Sequence, residues 1–385
     1  MIERTLIHSR RSGFLRRLVV LVSCIALPCL VRAQSDQPPR SPKGVDPNDW
    51  EAYFDWGTDQ MGRDLTAADA AIVWASRLRP DRAEPLFARW ISFWARDPGL
   101  YEKYLRDDEK TLADPRVLEA EALRRRAFRR NPFVHEGMIV YLYQRLPGHI
   151  RDNPVTRAWF ALGEGNLPRA LDLFATLVSR DPKQYGYLRF IRASAFVNSG
   201  KPDSAAAEIA ALLAQLRAED AKSLGNGYES KELLEYAMGP LELRRGRTKA
   251  ARDAFGRAAV ENAAFSPAHA MLGEMALTAH DGATALLEYG LATETDSSDV
   301  EFIVGLGRAY QVTNHASDAV AQFRRAVTLE PMYASPYVLL GSALQDAGDK
   351  TGAVAAYSRF LMHATQSDYR RADIERKIQS LGAAP

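Results

Sequence analysis

Five short stretches carry residue types that could do chemistry. Gly163-Glu164-Gly165 and Gly305-Leu306-Gly307 begin like the glycine turn that lets a dinucleotide pyrophosphate approach a helix, but neither has the third glycine and neither follows a strand. Ser199-Gly200-Lys201 resembles the end of a phosphate-binding loop, with no glycine five residues before Gly200. His135-Glu136 starts a zinc-protease signature that Ile139 interrupts where the second histidine belongs, and His280-Asp281 has no companion set of ligands. The histidines at 135, 149, 269, 280, 315 and 363 are dispersed, and no serine sits in a Gly-x-Ser-x-Gly turn. Both cysteines, Cys24 and Cys29, fall in the first 33 residues, so the chain beyond them has no thiolate nucleophile, cysteine ligand or disulfide. These residues predict no enzyme, no cofactor and no metal site.

The elements that hold these stretches explain them better. From Glu232 to Thr365 a pattern recurs at a spacing of 34: Gly239, Gly273, Gly307 and Gly341; Ala251, Ala285, Ala319 and Ala353; Phe255, Tyr289, Phe323 and Tyr357. Such a period belongs to stacked supersecondary units, none of which can bury its apolar face alone. Leu306, Gly307 and Tyr310 share one side of a first helix, and Ala319, Phe323 and Ala326 one side of a second. A glycine within a helix costs roughly 1 kcal/mol relative to alanine, so four in register must serve close approach. The expected arrangement sets the alanine opposite the glycine, with the aromatic ring filling space toward the next unit.

The clearest copy reads Ile303-x-x-Leu306-Gly307-x-x-Tyr310, then Ala319-x-x-x-Phe323, Ala326 and Pro331. It resembles the tetratricopeptide repeat, with Ile303 in place of the family's tryptophan. The resemblance is best over residues 151–365 and implies an all-α fold, a right-handed α-α superhelix of helix hairpins. It also implies a concave wall, made by the first helix of each unit, that holds a protein or peptide partner. Carried onto this chain, the outward positions of that wall are Trp159, Tyr187, Phe190, Tyr236, Glu274, Glu301, Arg308, Gln311, Ser342 and Gln345. The wall lacks the repeated lysine and asparagine with which some members of the family grip a terminal carboxylate.

The remainder of the chain divides in order. Residues 1–33 are a basic stretch, an apolar run from Leu18 to Val31 and Val31-Arg32-Ala33, which resembles a signal peptide cleaved after Ala33. The run is shorter than the roughly 20 residues that span a bilayer, so contact with a membrane is expected only through an uncleaved or lipidated leader. Ser9-Arg10-Arg11-Ser12-Gly13-Phe14-Leu15 resembles a twin-arginine export signal with one residue too many, and Leu21-Val22-Ser23-Cys24 a lipoprotein box. An exported chain, periplasmic or secreted, is the expectation. Residues 34–48, with Pro38, Pro39, Pro42 and Pro47, read as a mobile proline-rich linker. Residues 49–150 read as divergent helical repeats whose helical runs stop before Pro80, Pro98 and Pro132. The array of 151–365 follows, with about a dozen surplus residues near Ala218–Lys231, and residues 366–385 supply a charged capping helix and tail.

Charge and aromatic content narrow the function classes. The formal charge is +2, but residues 1–33 hold six arginines against Glu3, and the rest has 44 basic and 47 acidic residues. Nothing in that balance asks for nucleic acid. Arg124-Arg125-Arg126 with Arg129-Arg130 fans around a helix, which predicts a solvated, partly salt-bridged face rather than a phosphate or anionic-lipid site. All six tryptophans (50, 56, 74, 90, 94, 159) lie in the first 160 residues and are expected to fill an irregular stack; a binding surface is the other possibility. The expectation is therefore a non-catalytic exported scaffold for protein or peptide partners, of open oligomeric state. An envelope glycan- or lipid-binding module is the alternative, and a cofactor-dependent enzyme, suggested by the near twin-arginine leader, is a third.

Overall fold

The computed structural model describes residues 37–39, 44–106, 108–134, 153–219 and 230–382. The leader, the His135-Glu136 pair and the glycine turn at 224–227 lie outside the described residues. Residues 39–385 form one compact unit; of the other, residues 1–38, only 37 and 38 are described. Among the described residues there are twenty helices and no strand.

An N-terminal set comprises α1 (Trp50–Gln60), α2 (Leu65–Leu78), α3 (Ala83–Arg96), the short α4 (Pro98–Leu105) and α5 (Glu109–Leu112), and α6 (Pro115–Arg130). Next come α7 (Pro154–Gly163), α8 (Leu167–Arg180), the single turn α9 (Pro182–Tyr185), α10 (Leu188–Asn198) and α11 (Pro202–Ala218). The regular hairpins follow: α12 (Lys231–Arg244) with α13 (Thr248–Glu261), α14 (Ser266–Thr278) with α15 (Gly282–Thr295), α16 (Val300–Val312) with α17 (Ala316–Leu329), and α18 (Ser335–Asp346) with α19 (Lys350–His363). The last helix is α20 (Arg371–Ser380). From α7 onward each hairpin packs on the next, so the architecture is an all-α superhelix of stacked helix pairs.

The period of 34 governs the turns as well as the core. Gly246, His280, Asn314 and Gly348 stand at the same point between the two helices of a hairpin, and all four have positive φ. His280 at φ 58° holds a conformation that costs an L-residue energy, so His280-Asp281 is turn hardware. Asp281 then caps α15 by accepting from the backbone N–H of Thr284 at 3.1 Å.

Inside each hairpin the sequence expectation needs one correction. A methyl built on Gly239, Gly273, Gly307 or Gly341 would lie between 2.1 and 2.7 Å from the ring of Phe255, Tyr289, Phe323 or Tyr357. The glycine therefore faces the aromatic ring of its own hairpin, not the alanine; Ala251, Ala285, Ala319 and Ala353 are fully buried beside it. Tyr289 also lies against Gly305 of the following unit, where a methyl would come within 2.0 Å of its ring. In α1 and α2 the same device recurs with an aliphatic partner, Gly57 against Ile72.

Two features at the ends differ from expectation. Residues 46–48 are anchored rather than mobile: Asn48 Nδ2 donates to the carbonyls of Met362 (3.0 Å) and Ala364 (3.3 Å), and Gln366 N–H donates to Asp46 Oδ2 at 2.8 Å. Pro47 carbonyl accepts from the Trp74 indole at 2.8 Å. The array's last hairpin is thus covered by α20, through Ile374 and Ile378, and also clasped by the segment that leads into α1. Part of the surplus before α12 lengthens α11 to 17 residues.

Candidate functional site

The first helices of the last three hairpins position an open polar wall. Arg308 on α16 grips Glu274 on α14 with two contacts, Nη1 to Oε2 at 2.7 Å and Nη2 to Oε1 at 3.3 Å. Both side chains stay well exposed, at 39% and 40%. The Tyr289 hydroxyl reaches the same carboxylate from α15, donating to Oε2 at 2.8 Å. Two repeats further, Tyr357 donates to Gln345 Oε1 at 3.1 Å. Gln311 and Ser342 are half-buried, and Gln345 is exposed. Burial, with Glu274 close by, pushes the Tyr289 hydroxyl far above its ordinary range, so it stays a donor at any physiological pH. The result is a surface of paired charge, amide and hydroxyl groups in which both hydrogen-bond donors and acceptors reach solvent.

Sequence counting missed the two hydroxyls. The spacing makes Tyr289 and Tyr357 core positions, and their rings are there, at 4% and 0% exposure. Because a glycine lets the ring pass close to the first helix, the para oxygen reaches Glu274 or Gln345 of the wall from beneath. The signal was the choice of tyrosine over phenylalanine at that position of alternate repeats.

Half of the predicted wall is elsewhere. Trp159, Phe190 and Tyr236 are buried, at 4%, 1% and 3% exposure. Trp159 stands edge-on to Phe174, with ring centres 5.7 Å apart. Phe190 stacks on Phe128 at 6.0 Å and Phe133 at 5.9 Å, while Tyr236 packs on Phe255 and Phe265 and donates to the Arg129 carbonyl. Tyr187 is half-buried against this same core. α6 and Phe133 lie over Phe190 and Tyr236, and Trp159 is enclosed with Phe174 of its own hairpin, so these positions are inner surface of the fold rather than a wall open to a partner. Glu301 is half-buried on the same side, and desolvation raises its pKa to about 7.

The arginines of α6 make that cover. Arg129 Nη1 meets Asp296 Oδ2 and Arg130 Nη2 meets Asp299 Oδ1, each at 2.5 Å, and Arg126 donates to Ser298 Oγ at 2.9 Å. The Asp299 side chain has no exposure at all. Burial opposes the Arg130 charge, but Asp299 and Glu301 overcome it and leave that guanidinium more basic than usual. Arg124 pairs with Glu121 at 2.8 Å and lies over the Trp90 ring. The cluster is therefore a docking seam, contrary to the solvated face expected of it. Trp74, Trp90, Trp94 and Trp159 are buried, and Trp50 and Trp56 are half-buried with Arg79 and Arg82 over the Trp50 ring. Among the described residues no group of three or more histidine, cysteine or acidic side chains could hold a metal ion. No described helix is long and apolar enough to cross a membrane.

Stacked hairpins, the last four each with a glycine–aromatic contact, and a polar wall define a helical-repeat scaffold. A tetratricopeptide repeat family model matches residues 304–370. The TPR repeat-containing protein PA0015 of Pseudomonas aeruginosa is 34% identical over 92 residues, which cover 24% of this chain and 86% of that protein. The C-terminal part of a TPR repeat-containing protein from Cytophaga hutchinsonii overlaps 59% of this chain and 95% of its own, at 14% identity and a TM-score of 0.44. The hetero-tetramer of Cut9 and Hcn1 overlaps 86% of this chain and 67% of its own, at 13% identity and a TM-score of 0.47. The chain belongs to the tetratricopeptide repeat family. Proteins of this family are typically non-catalytic scaffolds that bind protein or peptide partners.

Proposed function

We propose that this chain is an exported, non-catalytic scaffold that takes an extended peptide segment of a protein partner along the wall formed by Glu274, Arg308, Gln311, Ser342 and Gln345. The observation that supports this most is the Tyr289–Glu274–Arg308 group. A carboxylate and a guanidinium hold each other across two consecutive repeats while both remain about two-fifths exposed. Such a pair can exchange part of its mutual contact for backbone amides and carbonyls of an incoming strand or loop. The polar character of the wall favours an extended backbone over a lipid tail. With four tryptophans buried, the aromatic surface that motivated a glycan ligand is core instead. Export rests on the basic and apolar leader ending at Ala33.

A photo-activated crosslinking residue in place of Gln345, in the full chain expressed in its own cells, tests both parts. The expected result is a discrete protein adduct that Arg308→Glu weakens at least tenfold, together with a purified N-terminus at Gln34. Adducts equal in yield and identity for Arg308→Glu would refute the wall, and an intact N-terminal methionine would refute cleavage.

A further inference from the structure

A second group of charges lies where the turn after α2 and the end of α6 meet the start of α16. Three carboxylates, Asp81, Asp299 and Glu301, share it with two guanidinia, Arg79 and Arg130, while Arg129 pairs with Asp296 at 2.5 Å and stands 3.9 Å from Asp299. Arg79 spans Asp81 with two bonds of 2.7 Å, and Arg130 holds Asp299 at 2.5 Å. The third carboxylate has no guanidinium to itself, and Glu301 Oε1 is buried with no hydrogen-bond partner. Glu301 is faced by Arg130 of α6, Asp81 of the turn after α2, Asp299 at the cap of its own helix and Tyr333 of the turn before α18; Arg79 and, from α15, Tyr289 also sense its charge. Side chains from α6, the turn after α2, the start of α16 and the turn before α18 thus converge on this one carboxylate.

We propose that Glu301 is a proton-operated latch: neutral, it completes the seam between the N-terminal helices and the repeats, and ionised, it leaves one negative charge in excess there and loosens α6. Glu301 is half-buried with the Tyr333 hydroxyl as a donor, but its enclosed Oε1 has no partner and no guanidinium is matched to its charge, so the seam favours the neutral acid. Burial, reinforced by Asp81 and Asp299 and opposed by Arg130 and Tyr333, holds the Glu301 pKa at about 7 against an ordinary 4.5. Since the closed seam binds this proton more tightly than an exposed carboxyl does, the stabilisation is complete below pH 4.5 and fades as pH rises through 7. The opening equilibrium then rises about tenfold from pH 6 to pH 8 and levels off above that.

Hydrogen exchange of the full chain, corrected for the intrinsic pH dependence of amide exchange, reads this directly at residues 115–130. The wild type is expected to show the roughly tenfold rise in opening between pH 6 and pH 8. Glu301→Gln, which carries the neutral shape at every pH, is expected to show none. A flat wild-type profile, or the same rise in Glu301→Gln, would overturn the latch. Should the variant fail to fold, a carboxyl-carbon NMR titration of the wild type decides: a Glu301 midpoint near 7 supports the latch and one near 4.5 overturns it.

Discussion

Replacing Gly305 by alanine adds one methyl to a helix, a change that in an open position stabilises. Its cost here can be worked from the Tyr289 ring. The new Cβ would sit 2.0 Å from Cε1 and 2.2 Å from Cζ, far inside any tolerated contact. Relief would require the ring to retreat by more than an ångström. The ring's other side is occupied by α14, where a methyl on Gly273 would already be within 2.7 Å, and the hydroxyl is tied to Glu274 at 2.8 Å. Overpacking of a held side chain typically costs 1–3 kcal/mol, and a ring pinned from two sides belongs near the top, about 3. Against this stands the helix-propensity gain of about 1 kcal/mol, so Gly305→Ala should destabilise by about 2 kcal/mol. Gly256 and Gly290 have nothing within 4 Å of the same built methyl, so Gly256→Ala and Gly290→Ala should stabilise by up to about 1 kcal/mol. Urea unfolding followed by far-UV circular dichroism compares the three variants with the wild type. A Gly305→Ala midpoint at or above the wild-type value would refute the close approach from which the fold was argued.

Two further outcomes follow from the seam and the wall. Arg130→Met should cost about 3 kcal/mol, because the fully buried Asp299 would lose its nearest cation and keep only Arg129 at 3.9 Å, whereas Arg106→Met, whose pair with Glu102 is exposed, should cost less than about 1; urea midpoints of both variants check the contrast. Tyr289→Phe should cost about 0.5–1.5 kcal/mol in the same assay, since Glu274 keeps Arg308 and solvent when the hydroxyl is lost, and the far-UV spectrum should not change.

The repeat units were legible in the sequence because each contact recurs at the same offset. Gly307 with Phe323 is the same pairing as Gly341 with Tyr357, so four copies report one geometry, and even the positive-φ turn residues obey the spacing. What faces the glycine was misjudged, since periodicity says that two positions are correlated and not that they touch. The wall was legible only where the array is regular. Phe190 and Tyr236 hold outward positions by count, yet α6 and Phe133 lie over them, and Trp159 turns into its own hairpin against Phe174. Arg129 with Asp296 and Arg130 with Asp299 bring together residues 167 and 169 positions apart, and no local pattern announces such pairs. Charged residues on a helix surface look alike in sequence whether they meet water or a partner carboxylate. The tethering of Asn48 to Ala364 was hidden for the same reason, behind a proline-rich composition that suggests freedom.

That tethering changes how such a chain comes apart. A row of units that each touch only their neighbours melts like a zipper, fraying from its two loose tips inward. Joining positions 46–48 to positions 362–366 converts two tips into one junction, so neither terminal hairpin can peel away without first breaking contacts made by the opposite terminus. Loss of order should then be more nearly all-or-none than the number of repeats alone would suggest.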